Sequence, residues 1–66
     1  MQNKIRIERA VLHITQEELA VKISVSRQTI NAMELNKYVP STVLALKLAR
    51  VFNKKVEDIF SLDEND

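Results

Sequence analysis

Residues 26–33, SRQTINAM, hold the side chains best suited to chemistry in this 66-residue chain. Ser26, Arg27, Gln28, Thr29 and Asn31 set hydroxyl, guanidinium and amide groups close together, interleaved with Ile30 and Met33. What these groups share is hydrogen bonding in a defined geometry. A guanidinium is a rigid fork of donors, and an amide offers a donor beside an acceptor. An Arg can reach a guanine edge or a phosphate, a Gln can bridge the two groups on an adenine edge, and a Thr can meet a thymine methyl or a phosphate. Bond-making chemistry lacks its parts. One histidine, no cysteine and no glycine-rich loop supply no set of nucleophile, base and oxyanion donors, so no enzyme, metal or cofactor is expected. His13, the lone histidine, is expected to be an exposed linker residue.

Two helices must position this stretch. Ile30 and Met33 are three apart and share a face, which turns Arg27, Gln28 and Asn31 to the open side of a helix over 27–34. Ala32 is small enough to touch a base methyl there. Ser26 is a good N-cap. The helix before it runs over 16–23. Thr15 caps it, with Glu18 three residues on completing a capping box, and Leu19, Ala20 and Ile23 form its apolar face. The turn between the two helices falls at Ser24. A short helix with an apolar back and guanidinium, amide and small side chains in front suits a major groove.

The chain resembles the helix-turn-helix proteins of the Cro and phage-repressor type, also called the xenobiotic-response-element family. The resemblance is carried by Thr15-Gln16-Glu17-Glu18-Leu19-Ala20, Val25-Ser26-Arg27-Gln28-Thr29-Ile30, Glu34, Asn36-Lys37-Tyr38-Val39-Pro40-Ser41, Leu48-Ala49 and Glu57-Asp58-Ile59-Phe60. It spans roughly residues 3–60. It implies an all-α, compact five-helix, lambda-repressor-like domain. The function it implies is sequence-specific binding of double-stranded DNA by a prokaryotic, cytoplasmic transcriptional regulator: a repressor, as a homodimer on a palindromic operator. An antitoxin-like protein-interaction module on the same scaffold is the alternative. The resemblance makes Gln16 a phosphate ligand at a helix N-terminus, where free amides and the dipole attract an anion. It adds Asn36, Lys37 and Tyr38 to Ser26, Arg27, Gln28, Thr29 and Asn31 as the DNA-binding set, with Asn31 directed to the backbone. The Tyr38 hydroxyl either meets a phosphate or the ring covers the core. Glu34 is expected to pair with Arg9 beneath the DNA surface. Glu8, His13, Ser24 and Leu35 depart from the family pattern. The resemblance implies a positive φ at Ser24 and at Asn36, which costs a serine on the order of 1 kcal/mol. Leu35, where the family has a polar residue, is expected to be partly exposed. Ile7 is expected to take over the packing that Glu8 gives up.

The remaining numbers bound this reading. A chain of 66 residues makes one domain, 1–66, of only roughly 3–5 kcal/mol net stability. Net charge is +1, but all ten Lys and Arg and only six acids lie within residues 1–60, which leaves +4 there and an acidic stretch at 61–66 expected as a flexible tail. No apolar run is long enough to span a membrane. No glycine and one proline favour helices throughout. A first helix is expected over 4–12 with Asn3 as its cap, and with Ile5, Leu12 and one or both of Ile7 and Val11 inward. A fourth over 42–52, capped by Ser41, puts Leu44, Leu48 and Phe52 inward with Leu46, Ala49 and Val51 beside them. Asn53 stops it, and a fifth helix covers 56–60. Val56, Phe60 and Leu62 are expected to be left uncovered by one monomer and to form a two-fold interface.

Overall fold

Apolar spacing and capping side chains set where the helices fall. In a computed structural model that describes all 66 residues, they run over Ile5–Leu12 (α1), Gln16–Ile23 (α2), Arg27–Glu34 (α3), Thr42–Phe52 (α4) and Val56–Ile59 (α5). Thr15 Oγ1 accepts from the Glu18 amide at 3.0 Å while Glu18 Oε1 accepts from the Thr15 amide at 3.0 Å, which closes the expected capping box. The Thr15 backbone amide first, and then the Thr15 hydroxyl, hold the Glu18 carboxyl below its ordinary value. Ser26 and Ser41 each accept from the amide three residues on, at 3.1 and 3.2 Å. α1 starts one residue later than expected, at Ile5: Lys4 stands outside helical geometry at φ −115° and ψ 24°, and its amide donates to the Ile59 carbonyl at 2.8 Å.

The helix ends share one device. His13, Ser24, Asn36 and Asn53 all take the left-handed conformation, at φ 57°, 60°, 60° and 54°. After each, the next amide reaches back into the helix: Ile14 to the Arg9 carbonyl, Val25 to Ala20, Lys37 to Ala32 and Lys54 to Ala49, at 2.9–3.1 Å. This closure usually falls to glycine, which has no Cβ to clash. Here a chain without glycine makes it four times. Asn tolerates the conformation better than Ser or His does, because its short side chain can hydrogen-bond locally.

The core is built by Ile5, Leu19, Ala20, Ile23, Ile30, Met33, Leu48, Phe52, Ile59 and Phe60, from all five helices and the segment after α5. Burying such a side chain contributes about 1.5–3 kcal/mol, so Leu19 and Ile30, both fully covered, fix the approach of α2 to α3.

Three apolar expectations are corrected. Ile7 and Val11 point outward, at 60% and 65% exposed, and Leu12 is 43% exposed. At 100° per residue Ile7 and Val11 cannot share the face of Ile5, lying about 200° and about 240° round the helix from it, whereas Leu12 is on that face but at the last position of the helix, where it is only partly covered. Arg9, four residues on from Ile5, takes the inward position instead. Leu46 is likewise 58% exposed, because it sits two residues before the buried Leu48 and therefore on the opposite side of α4. Phe60 is 8% exposed and belongs to the core of the single chain, so it is not available as an uncovered interface residue. The chain leaves the helix at Ile59 and runs extended through Phe60, which turns its ring inward.

That extended segment forms a feature the sequence did not suggest. Phe60–Ser61 (β2) pairs antiparallel with Gln2–Asn3 (β1), matching Gln2 to Ser61 and Asn3 to Phe60. Residues 61–66, expected as a tail, start in this ribbon and turn back on the amino terminus. The Met1 ammonium lies 2.6 Å from Asp63 Oδ2 and 2.9 Å from Asp66 Oδ2. Gln2 Nε2 donates to Asp63 Oδ1 at 2.9 Å.

Candidate nucleic-acid interface

α3 is backed by Ile30 and Met33, which are 0% and 1% exposed. That fixes its rotation, and Arg27, Gln28 and Asn31 stand exposed on its far side. Together with Ala32, Leu35 and Lys37 they line one shallow hollow of about 240 Å³. A second hollow, of about 430 Å³, brings Gln28 and Thr29 to Tyr38 and Leu44. Tyr38 is 43% exposed and half covers this apolar floor. It makes no side-chain hydrogen bond. Ser26 and Thr29 are turned to each other rather than outward: their hydroxyls lie 3.0 Å apart, and Ser26 Oγ also takes the Thr29 amide. Ser26 therefore builds the start of the helix more than it offers a free ligand.

Beneath this face lies a polar junction. Arg9 donates from Nε to Glu34 Oε2 at 2.7 Å and from Nη2 to Glu34 Oε1 at 3.1 Å, a two-point pair. Its Nη1 donates to the Ile14 carbonyl at 3.0 Å, which ties the α1–α2 turn to α3. The side chains are 16% and 6% exposed, and the hydrogen bonds that Arg9 donates to Glu34 hold its guanidinium pKa above the ordinary value. The Arg9–Glu34 expectation thus has its geometry. Gln16 extends the junction across the motif. Its Nε2 donates to Glu34 Oε1 at 3.0 Å and to Asn31 Oδ1 at 3.2 Å. One amide at the start of α2 is thereby locked to the exposed face of α3, while its own carbonyl carries no protein hydrogen bond.

The loop after α3 completes the surface. Asn36, Lys37 and Tyr38 are exposed at its edge, with Asn36 in the left-handed position expected for it. Leu35 is 55% exposed, as its departure from a polar residue suggested. One contributor was missed in the sequence. Asn3 had been read only as a helix cap, yet its side chain reaches the end of α3. A short amide beside a helix start gave no hint of that, because the contact crosses 30 residues and exists only once the ribbon forms.

The centre of this surface is one recurring pattern: two short helices, a tight non-helical turn between them, and an exposed second helix. A family model described as Helix-turn-helix matches residues 5–59. The chain belongs to this family. Its similarity to individual members runs through its whole length. An uncharacterized HTH-type transcriptional regulator of Methanocaldococcus jannaschii is 50% identical over 66 residues, covering 100% of both chains. One from Archaeoglobus fulgidus is 52% identical over 66 residues, covering 100% of this chain and 93% of the relative. One from Bacillus subtilis is 44% identical over 66 residues, with 100% of both covered. The all-α helix-turn-helix architecture inferred from the residues is thus the family's, with the two-stranded ribbon added at the termini. No helix of this helix-turn-helix chain is long and apolar enough to cross a membrane.

Proposed function

We propose that this chain is a cytoplasmic transcriptional repressor that binds a palindromic DNA operator as a homodimer. Family membership carries the coarse part, DNA binding and regulation of transcription. The observation that carries the finer reading is the face of α3. Arg27, Gln28 and Asn31 stand exposed on a helix whose rotation is fixed by fully buried Ile30 and Met33. Arg27 and Gln28 are the base readers, bidentate to guanine and adenine edges respectively. Asn36, Lys37 and Tyr38 ring them and contact the sugar–phosphate backbone, which sets register without reading sequence. Gln16, whose side-chain donors are held by Glu34 and Asn31, meets a phosphate through its backbone amide at the start of α2.

Two copies would place two such helices about one DNA turn apart, roughly 34 Å, and double the phosphate contacts. Leu62, at 80% exposed, and the half-covered Val56 are the apolar residues of the C-terminal segment left for that contact. Repression follows from occupancy: a bound dimer blocks polymerase.

Selection of binding sites from random duplex DNA at stated salt tests the reading. It is expected to return a two-fold symmetric site. Gln28→Ala is then expected to cost about 1–3 kcal/mol on that site and to relax preference at one base pair in each half. Recovery of no preferred sequence, or unchanged selectivity in Gln28→Ala, would remove the assignment.

A further inference from the structure

We propose that Asn3 is a positioning residue of the DNA interface: its side-chain amide sets the end of α3 and, through Asn36, the phosphate-facing loop Asn36–Tyr38. The inference rests on the DNA-binding reading above and extends it to a residue that lies outside the helix-turn-helix motif.

Asn3 uses both ends of its amide. Oδ1 accepts from the Ile5 amide, the first of α1, at 3.1 Å, although Lys4 and not Asn3 takes the N-cap position expected of it. Nδ2 donates to the Met33 carbonyl at 2.8 Å and to Asn36 Oδ1 at 2.9 Å. The first of these acceptors is the α3 carbonyl that also takes the Asn36 amide at 3.1 Å, and the Lys37 amide closes on Ala32 at 2.9 Å beside it. Asn3 therefore docks on the closure that ends the recognition helix and aims Lys37.

The platform it docks from is stiff. Asn3 pairs with Phe60 in the ribbon, and the next amide, Lys4, is bonded to the Ile59 carbonyl. Ile59 and Phe60 are core residues at 1% and 8% exposed. The bond to Asn36 is the one side-chain hydrogen bond that the loop 35–40 receives from another element. Asn36 itself stands at φ 60°, a conformation that non-glycine residues hold only with local support.

Position on the interface gives the inference a signature. Arg27 and Gln28 lie in the first turn of α3, at its other end from Asn36, and their rotation is set by the buried Ile30 and Met33, so base reading does not depend on Asn3. The phosphate contact of Lys37 does. Loosening this loop is expected to weaken binding to every sequence alike and to lower its salt dependence, since phosphate contacts set the salt slope. A residue important only for stability would leave the slope of the folded protein where it was.

The experiment compares wild type, Asn3→Ser, Lys37→Ala and the double variant on a selected duplex and on a scrambled one, across a salt series and below each melting temperature. Ser keeps an oxygen for the Ile5 amide but cannot reach Met33 or Asn36. Asn3→Gln, which displaces the amide by one methylene, serves as a second variant should Asn3→Ser melt too low. The expected result is a loss of roughly 3–10-fold on both duplexes, a salt slope shallower by about one contact, and faster exchange of the Lys37 amide. In the Lys37→Ala background the same change is expected to cost nothing more. Wild-type affinity and slope in folded Asn3→Ser, or an undiminished loss in the Lys37→Ala background, overturns this inference alone. Failure of the wild type to bind any duplex overturns the DNA-binding reading, and this inference with it.

Discussion

Two ion pairs hold this small protein together, and their surroundings differ sharply. Arg9–Glu34 lies under α3 with side chains 16% and 6% exposed, two parallel hydrogen bonds, and Gln16 on a further lone pair. Met1–Asp63–Asp66 lies at the rim, with side chains 22%, 38% and 30% exposed. Both involve full charges at short distance. In the first, little water competes, so the partners are costly to separate. In the second, water and salt take over whatever the protein releases. Contact distance alone would have ranked them equal; burial separates them.

The sharpest break of that comparison is to remove one buried partner. Glu34→Gln or Arg9→Met is expected to lower stability by about 3 kcal/mol, because the other charge stays behind without its partner. Urea unfolding measures it, and a loss below about 1 kcal/mol would mean the pair behaves like a surface contact. Reversing both charges together is expected to recover part of the loss relative to either reversal alone, and additive losses would deny the coupling.

Next in size is a change that touches neither pair and calibrates the scale. Ser24→Gly relieves the Cβ clash at φ 60° and is expected to raise stability by about 1 kcal/mol, seen as a higher melting temperature. An unchanged or lower value would show that the left-handed turn is held without strain.

The smallest effect belongs to the rim pair and depends on pH. Asp63 and Asp66 are held below their ordinary 3.8, Asp63 chiefly by the ammonium and Asp66 chiefly by the Asp63 amide and then the ammonium. The ammonium is held above its ordinary 8.0, chiefly by Asp63. The carboxylates thus contribute above about pH 3.8, and lose their contribution as pH falls through the lowered values. The ammonium contributes fully below about pH 8, and its share is lost as pH rises through the raised value. The melting temperature of Asp63→Asn should therefore trail the wild type most between those limits, converge with it outside them, and converge at high salt. A difference constant from pH 2 to pH 11 would show that charge is not its cause.

Much of the candidate site was legible residue by residue. Thr15 with Glu18, Ser26 and Ser41 are caps whose partners lie three residues away, so spacing alone located them. Ile30 and Met33 fixed which side of α3 faces out for the same reason. Arg9–Glu34 was also legible, but through family resemblance, since nothing local links residues 25 apart. α1 was misread because four apolar side chains on eight residues fit more than one face. Only the packing partner shows that Ile5 and Arg9 look inward while Ile7 and Val11 do not.

Local spacing, then, determined the helices, the caps of α2, α3 and α4, and the exposed face of α3, because each of these depends on neighbours within one or two turns. The left-handed residues that end α2 and α3 were legible only through the family resemblance. The tertiary structure alone decided that the two termini pair as a ribbon, that Phe60 turns into the core, and that Asn3 meets Met33 and Asn36. Those contacts join residues 30 to 60 apart, and no periodicity in the chain encodes them. They appear only when burial of Ile59 and Phe60 brings the two ends of the chain together.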